Sequence, residues 1–332
     1  ISVSSSGEEG NQDSGYPSIS GLGNYVAFSS AATNLVDDDN NVQDVFVHEI
    51  ATGSTERASV DSTGAEGNDR SSLPSIVEDG ERYVVAFESL ASNLVADDVN
   101  DVDDVFMHDG ETGTTWRVSV APDGSGGNWS SANPALASER SLVAFESAAT
   151  NLLEGDDLNG HRDVFLQDLF TKENALISAS DDGDQGNGWS LRPAITPLGD
   201  YVAFASAAGN LVPGDANNTS DIFVRQVASD WVLRVSVSSI GAEGNGSSDW
   251  PSISSDGRFI AFASTASNLA PNDTNGDQDI FVRDRQSLWT SRISVDSAGG
   301  QSNGDSFMPS ISADGRFVAF SSDASDLVGE GA

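Results

Sequence analysis

The sequence predicts an all-β protein, a six-bladed β-propeller with four antiparallel strands per blade, spanning residues 1–332 as a single domain. Three observations lead there. The Ala-Phe pair of a "VAF" segment ends at Phe28, Phe87, Phe145, Phe204, Phe262 and Phe320, in steps of 59, 58, 59, 58 and 58 residues. A proline precedes each pair, at Pro17, Pro74, Pro134, Pro193, Pro251 and Pro309. No segment carries a helical apolar period, so each repeat is a strand unit that buries its apolar face only against its neighbours.

Each repeat resolves into four short strands. Strand A is the "PSIS" segment, and strand B is "YVAFSS" or "RFVAFSS". Strand C begins Asp-Val/Ile-Phe, at Asp44, Asp104, Asp163, Asp221 and Asp279, and strand D is the "RVSV" type at 57–60, 117–120, 234–237 and 292–295. These are β-branched and aromatic runs, several with period-two alternation. Asp-Gly pairs such as Asp256-Gly257 and Asp314-Gly315 turn A into B, and Thr52-Gly53 and Thr112-Gly113 turn C into D. Ile1–Val3 reads as a D strand and the chain reaches only a sixth B strand, giving six A, six B, five C and six D strands. The expectation is that Ile1–Val3 closes the last blade, and that its missing C strand is supplied by chain continuing past Ala332, replaced by a partner, or left as an empty slot. Because Ile1 falls in mid-repeat, a processed or trimmed N-terminus is also expected.

The segments "PSISSDGRFIAFAS" (251–264) and "PSISADGRFVAFSS" (309–322) resemble the TolB-type propeller repeat. The resemblance covers essentially the whole chain and implies the propeller fold. It implies little about function, since such propellers serve as scaffolds, binding platforms and enzyme domains. The B–C loop is longer and more acidic than in the simplest units of that type.

Charge narrows the partners. Against 52 Asp and Glu stand 15 Lys and Arg, only Lys172 being a lysine, for a formal net charge of −37. Such a surface repels nucleic acid and anionic membranes and attracts divalent cations. No run approaches the ~20 apolar residues of a membrane helix. There is no cysteine, so neither disulfides nor thiolate metal sites arise. This suits a secreted or cell-surface protein stapled by another means.

The B–C loops offer that means. Five copies follow D-x-N-x-x-x-D-[VI]-F: Asp38, Asn40 and Asp44; Asp98, Asn100 and Asp104; Asp157, Asn159 and Asp163; Asp215, Asn217 and Asp221; Asp273, Asn275 and Asp279. Oxygen ligands at positions 1, 3 and 7 suit Ca²⁺, which takes six to eight oxygens. Position 5 would add a backbone carbonyl from Val42, Val102, His161, Thr219 or Asp277. The fifth copy is the most like an integrin or EF-hand loop. Five ions would bring the formal charge from −37 to −27. The alternative is that Asp and Asn cap turns by accepting backbone N–H bonds.

The D–A connections repeat G-x-x-G-N, with Asn11, Asn68, Asn128, Asn187, Asn245 and Asn303 each six residues before the proline. They read as latches to neighbouring loops. Propeller geometry, taken from the resemblance, puts these connections on the same face as the B–C loops. Tyr16, Trp129, Trp189, Trp250 and Phe307 lie there at differing offsets, suited either to stacking on a ligand or to inter-blade packing. Catalysis has little visible support, the best acid/base pair being Glu88 and Glu146 on strand B. The expectation is therefore an extracellular, calcium-binding, non-enzymatic module for a protein or glycan partner. Two alternatives stand beside it. One is a carbohydrate-binding or carbohydrate-active propeller; the other is a structural subunit, forming homo-oligomers or filaments by accepting a strand at its incomplete sixth blade.

Overall fold

The computed structural model describes residues 1–37, 39–80, 82–139, 141–155, 157 and 159–328. The first sheet holds β1 (Ser14–Ile19), β2 (Tyr25–Ser30), β3 (Asp44–Glu49) and β4 (Thr55–Arg57). The second holds β5 (Ser71–Asp79), β6 (Arg82–Ser89), β7 (Asp104–Asp109) and β8 (Thr114–Arg117). The third holds β9 (Ser131–Ala137), β10 (Leu142–Ser147), β11 (Asp163–Asp168) and β12 (Asn174–Leu176). The fourth holds β13 (Ser190–Ile195), β14 (Tyr201–Ser206), β15 (Asp221–Gln226) and β16 (Trp231–Arg234). In the fifth are β17 (Ser248–Ile253), β18 (Phe259–Ser264), β19 (Asp279–Asp284) and β20 (Trp289–Arg292); in the sixth are β21 (Ser306–Ile311) and β22 (Val318–Ser322). Strands follow chain order within each sheet, which is the meander of a β-propeller, and there is no helix among the described residues.

Contacts divide the chain into two compact units, residues 1–160 with 165–175, and residues 161–164 with 176–332. In the first, Tyr25, Val47, Ile76, Val85, Phe87 and Phe106 form one buried core. In the second, Ile222, Val224, Val235, Ile260, Phe262 and Phe281 do the same. The recurring "AF" phenylalanine of strand B stacks on the strand C phenylalanine in five sheets, with ring centroids 5.8–6.1 Å apart and planes within 25–28°. Neighbouring A strands are joined by the serine after the proline. Ser18 and Ser75 accept from the Ile76 and Leu136 N–H groups in the first unit, and Ser252 from Ile311 in the second.

Three details depart from the expected strands. Strand A starts about three residues before "PSIS", so its proline sits in mid-strand behind a β-bulge. Strand D ends on its arginine: the "V-S-V" that follows leaves the ladder, with both Ala58 and Ser59 N–H reaching the Val45 carbonyl. The third concerns closure. Among the described residues the sixth sheet has two strands, and Ile1–Val3 adds none to it; Val3 bridges Glu9 instead. A D strand pairs on a C strand, and this sheet presents none. Ser14 in β1 is exposed, whereas its counterparts Ser71, Ser131, Ser190, Ser248 and Ser306 are fully buried.

Phe262 is fully buried and stacked, while Phe320 on β22 is half-buried and, among the described residues, has no strand C ring above it. Phe262→Ala should cost about 3–5 kcal/mol in chemical denaturation and Phe320→Ala less than half of that. Equal costs would show that the stacked pair is not the main source of core stability.

Candidate functional site

The D-x-N-x-x-x-D loops are assembled around an arginine. In the fourth sheet Arg234, the last residue of β16, reaches Asp215 at 3.3 Å and Asp221 at 3.4 Å and also pairs with Glu243. In the fifth sheet Arg292 lies 3.2 Å from Asp273 and 3.3 Å from Asp279. Arg117 of the second sheet contacts Asp98 at 3.4 Å and Asp104 at 3.6 Å. In the first, Arg57 binds Asp39 at 2.9 Å, Asp44 at 3.1 Å and Glu66 at 2.9 Å. Asp38, the residue expected to be the first ligand there, lies outside the described residues. In the second, fourth and fifth sheets positions 1 and 7 thus both lie beside one guanidinium.

Position 3 acts chiefly as a tie. The Asn100, Asn217 and Asn275 side-chain amides each donate to the position 7 aspartate, at 2.8, 2.9 and 3.4 Å. They also donate to backbone carbonyls of the D–A connection, at Gly127, Gly244 and Ser302, as Asn40 does to Gly67. Their oxygens accept the position 5 N–H of Val42, Val102, Thr219 and Asp277. This is the turn-capping geometry. The position 7 aspartates are fully buried, each accepting from the serine two residues after strand D, for example Ser236 to Asp221 at 2.5 Å. In the third repeat Leu176 replaces the arginine. Its two loop aspartates fall in different units: Asp157 accepts the Asn159 N–H at 3.3 Å, and Asp163 accepts Ser178 Oγ at 2.6 Å. His161 follows in the second unit.

Burial raises the carboxyl groups of these loops. Desolvation pushes Asp44 up to about 7, against the Ser59 hydrogen bond and the Arg57 charge. Asp98 and Asp215 rise to about 6, first through burial and then through the adjacent Asp104 and Asp221. Among the described residues two clusters could hold a metal ion: in Asp39, Asp44 and Glu66, and in Asp215, Asp221 and Glu243, the carboxylate oxygens lie within 4.8 Å of one another. The all-oxygen donor set fits a hard cation. Glu66 and Glu243, from the D–A connection, are functional candidates that the loop motif alone does not reveal; their repeat position reads Glu9, Glu66, Gly126, Gln185, Glu243 and Gln301.

The D–A connections are latched as expected. Asn245 N–H donates to Asn268, its amide to Ser267 Oγ, and its carbonyl oxygen accepts the Ser267 N–H. Asn11, Asn68, Asn128 and Asn303 repeat the pattern on Asn34, Asn93, Asn151 and Asp326. The two histidines of strand C, His48 and His108, are structural as well. Each is buried, hydrogen-bonded to Thr55 or Thr115, and held below the ordinary imidazole value by that burial.

A feature that sequence patterns did not reveal sits beside each A-strand proline. Tyr16, Leu73 and Asn133 in the first unit, and Arg192, Trp250 and Met308 in the second, hold φ between 50° and 55°. A left-handed backbone at a bulky non-glycine residue is strained by about 1–3 kcal/mol. Of the aromatics singled out from sequence, Tyr16, Trp129 and Trp189 are exposed, while Trp250 and Phe307 are half-buried. Trp250 carries the Arg192 guanidinium 4.0 Å from its ring centroid, and Arg192 pairs with Asp249. Glu88 is buried, accepting from Ser72 at 3.1 Å, and burial raises its carboxyl group. Glu146, its counterpart on β10, is 4% exposed.

Replacing Arg234 tests the latch. Asp215 has a folded pKa above its unfolded value of about 3.8, so its contribution to stability is present at low pH and is lost as pH rises through about 6. Arg234→Leu should cost about 3 kcal/mol at pH 8, where three carboxylates lose their counter-charge. The cost should be clearly smaller at pH 5. A pH-independent loss in urea melts would show that packing, and not charge, makes the arginine necessary.

No protein-family model and no curated protein matches the sequence. Among solved structures, the chain is similar to an oligogalacturonate lyase in complex with manganese, at TM-score 0.54 and 16% identity over 93% of this chain and 70% of that one. It is similar to a prolyl endopeptidase structure at TM-score 0.55 and 14% identity, covering 94% of this chain and 39% of that one. A TolB from Agrobacterium tumefaciens matches at TM-score 0.50 and 13% identity over 96% and 85%. The chain spans about half, 53%, of the length of a TolB from Acinetobacter baumannii. At these identities the likeness shows the fold, an all-β propeller consistent with the TolB-like type. The same neighbours correct the expectation of a non-enzyme: structures of this fold include a lyase and a prolyl endopeptidase, so the architecture gives no ground for excluding catalysis.

Proposed function

We propose that this chain is a recognition propeller, binding a glycan or protein partner through the residues that precede its A-strand prolines and the aromatics beside them. One observation carries the reading. Six copies keep the same strained backbone while the side chain changes from Tyr16 to Leu73, Asn133, Arg192, Trp250 and Met308. A constant scaffold with a variable side chain at one place is how a repeat protein displays a binding surface. The Arg192–Trp250 stack, with exposed Trp129 and Trp189, favours a sugar ring or a flat side chain as the contacted group.

Calcium ions at Asp39, Asp44 and Glu66 and at Asp215, Asp221 and Glu243 form part of this reading. They would relieve carboxylates crowded in a chain of charge −37. An extracellular setting, where free calcium is abundant, completes it. The ion would share each cluster with the arginine, so we assign two such sites in place of five.

Two measurements test the proposal. On a glycan and peptide array the chain should retain a defined set of ligands, and Trp250→Ala or Arg192→Ala should weaken them at least tenfold while leaving the melting temperature within a few degrees. Unchanged binding would remove Arg192 and Trp250 from the recognition surface. With chelator present, added Ca²⁺ should raise the melting temperature more than Mg²⁺ does, and Glu66→Gln with Glu243→Gln should abolish the rise. No shift at millimolar Ca²⁺ would leave the loops as ion-pair latches alone.

A further inference from the structure

We infer that the cleft between β8 and β12 is a ligand site for a hydroxyl group of a neutral pyranose sugar. It shares no residue with the positions before the A-strand prolines. The observation behind it is a break in the repeat. Strand D is an edge of each complete sheet. In the third sheet the Asp168 N–H donates to the Glu173 carbonyl at 3.0 Å, and the Ile177 N–H to the Val164 carbonyl at 2.8 Å. Alternate residues of an antiparallel ladder turn their N–H and C=O groups outward, so Asn174 aims its pair away from β11. Thr55, Thr115 and Thr290 hold the same place, and there a serine from the turn ahead of strand A covers the pair. Ser62 Oγ accepts the Thr115 N–H at 3.0 Å and donates to the Thr115 carbonyl at 3.1 Å. Ser5 does the same on Thr55 and Ser239 on Thr290, while Asp181 accepts the Val232 N–H at 2.7 Å. For Asn174 the residue in the serine's position is Pro122. The turn itself is unchanged. The Gly124 N–H reaches the Ala121 carbonyl at 2.9 Å with a φ of 87°, and the Gly64 N–H reaches Asp61 at 2.9 Å with a φ of 84°. Only the cap is lost: among the described residues no side chain covers the Asn174 N–H and carbonyl in its place.

Around that pair lies a cleft of about 720 Å³, lined by Trp116, Pro122, Leu152, Glu154, Lys172 and Asn174 among others. The Asn174 side chain fixes the strand beside it, its amide donating to the Val120 carbonyl at 2.8 Å and the Leu152 carbonyl at 2.9 Å. Trp116 is half-buried and supplies a flat apolar wall, which suits the C–H face of a pyranose ring. Lys172, the only lysine of the chain, stands at the turn position of Gly53 and Gly113 and keeps their left-handed backbone, with a φ of 64°. Its ammonium lies 5.9 Å from the Trp116 ring centroid. An apolar wall with a few convergent polar groups is the usual make-up of a small-molecule site. The other sheets say which group belongs on the backbone pair. A hydroxyl both accepts from the N–H and donates to the carbonyl through one oxygen, which neither a carboxylate nor an ammonium can do. A sugar joins such a hydroxyl to an apolar ring face. Glu154, Glu173 and the net charge of −37 disfavour an anionic sugar.

The probes are the methyl glycosides of glucose, galactose and mannose, titrated into the full chain and followed by calorimetry and tryptophan fluorescence. At least one should bind. Pro122→Ser should return a hydroxyl to the turn, cap Asn174 and weaken that binding at least tenfold, with the melting temperature within a few degrees of the parent. Trp116→Leu should weaken it to a similar extent, whereas Trp250→Ala should leave it unchanged. Absence of binding by all three sugars would overturn the inference. So would binding that survives both Pro122→Ser and Trp116→Leu, or that disappears with Trp250→Ala. Tighter binding of glucuronate than of the glucoside would overturn the assignment to a neutral sugar.

Discussion

An arginine at the end of each complete D strand, except in the third sheet, holds two or three carboxylates that would otherwise repel one another. Taking such a cluster out of water is costly, and the attraction inside it offsets that cost only while every member is present. The arginine neutralises these carboxylates without setting the backbone path: the third sheet, with Leu176 in its place, makes the same exit, Ile177 and Ser178 N–H both reaching the Val164 carbonyl. Arg234 shows the arrangement at its fullest, contacting Asp215, Asp221 and Glu243 from one guanidinium. The chain therefore carries its large negative charge in two forms, one dispersed over solvent-facing loops and one neutralised internally.

Much of the fold was legible because a repeat states its own boundaries. The phenylalanines at Phe28, Phe87, Phe145, Phe204 and Phe262 mark the central strand of each complete sheet, and the latch asparagines do what their spacing suggested. The loop site was legible only in part. Asp and Asn at fixed offsets announce oxygen atoms facing one another, but not which cation they meet. Arg57, Arg117, Arg234 and Arg292 were visible as the first letter of "RVSV", yet a strand reading turns attention to alternating apolar residues and away from the charge at its head. Glu66 and Glu243 were hidden for a different reason, since their repeat position is not uniformly acidic. Backbone strain at Tyr16 and its counterparts has no compositional mark, because the residue types there share nothing.

The latches and the positions before the A-strand prolines divide the labour. The latches and ion pairs use residues that the repeat holds nearly constant, and they fix where the connections run. The positions before the A-strand prolines vary freely in chemistry at fixed geometry. Glu88 and Glu146, buried carboxylates where other copies have serine or alanine, belong to the variable class. This is the division expected of a scaffold that has accepted different ligands or reactions on one frame.

The two-stranded sixth sheet bears on how the molecule comes apart. In an array of similar repeats each element is stabilised by its neighbours, and the end with the fewest pairings opens first. Among the described residues β21 and β22 pair only with each other, whereas β18 in the fifth sheet is covered by β19. Their amide protons should be the fastest to exchange with solvent, and protease cleavage should begin there before it reaches the complete sheets.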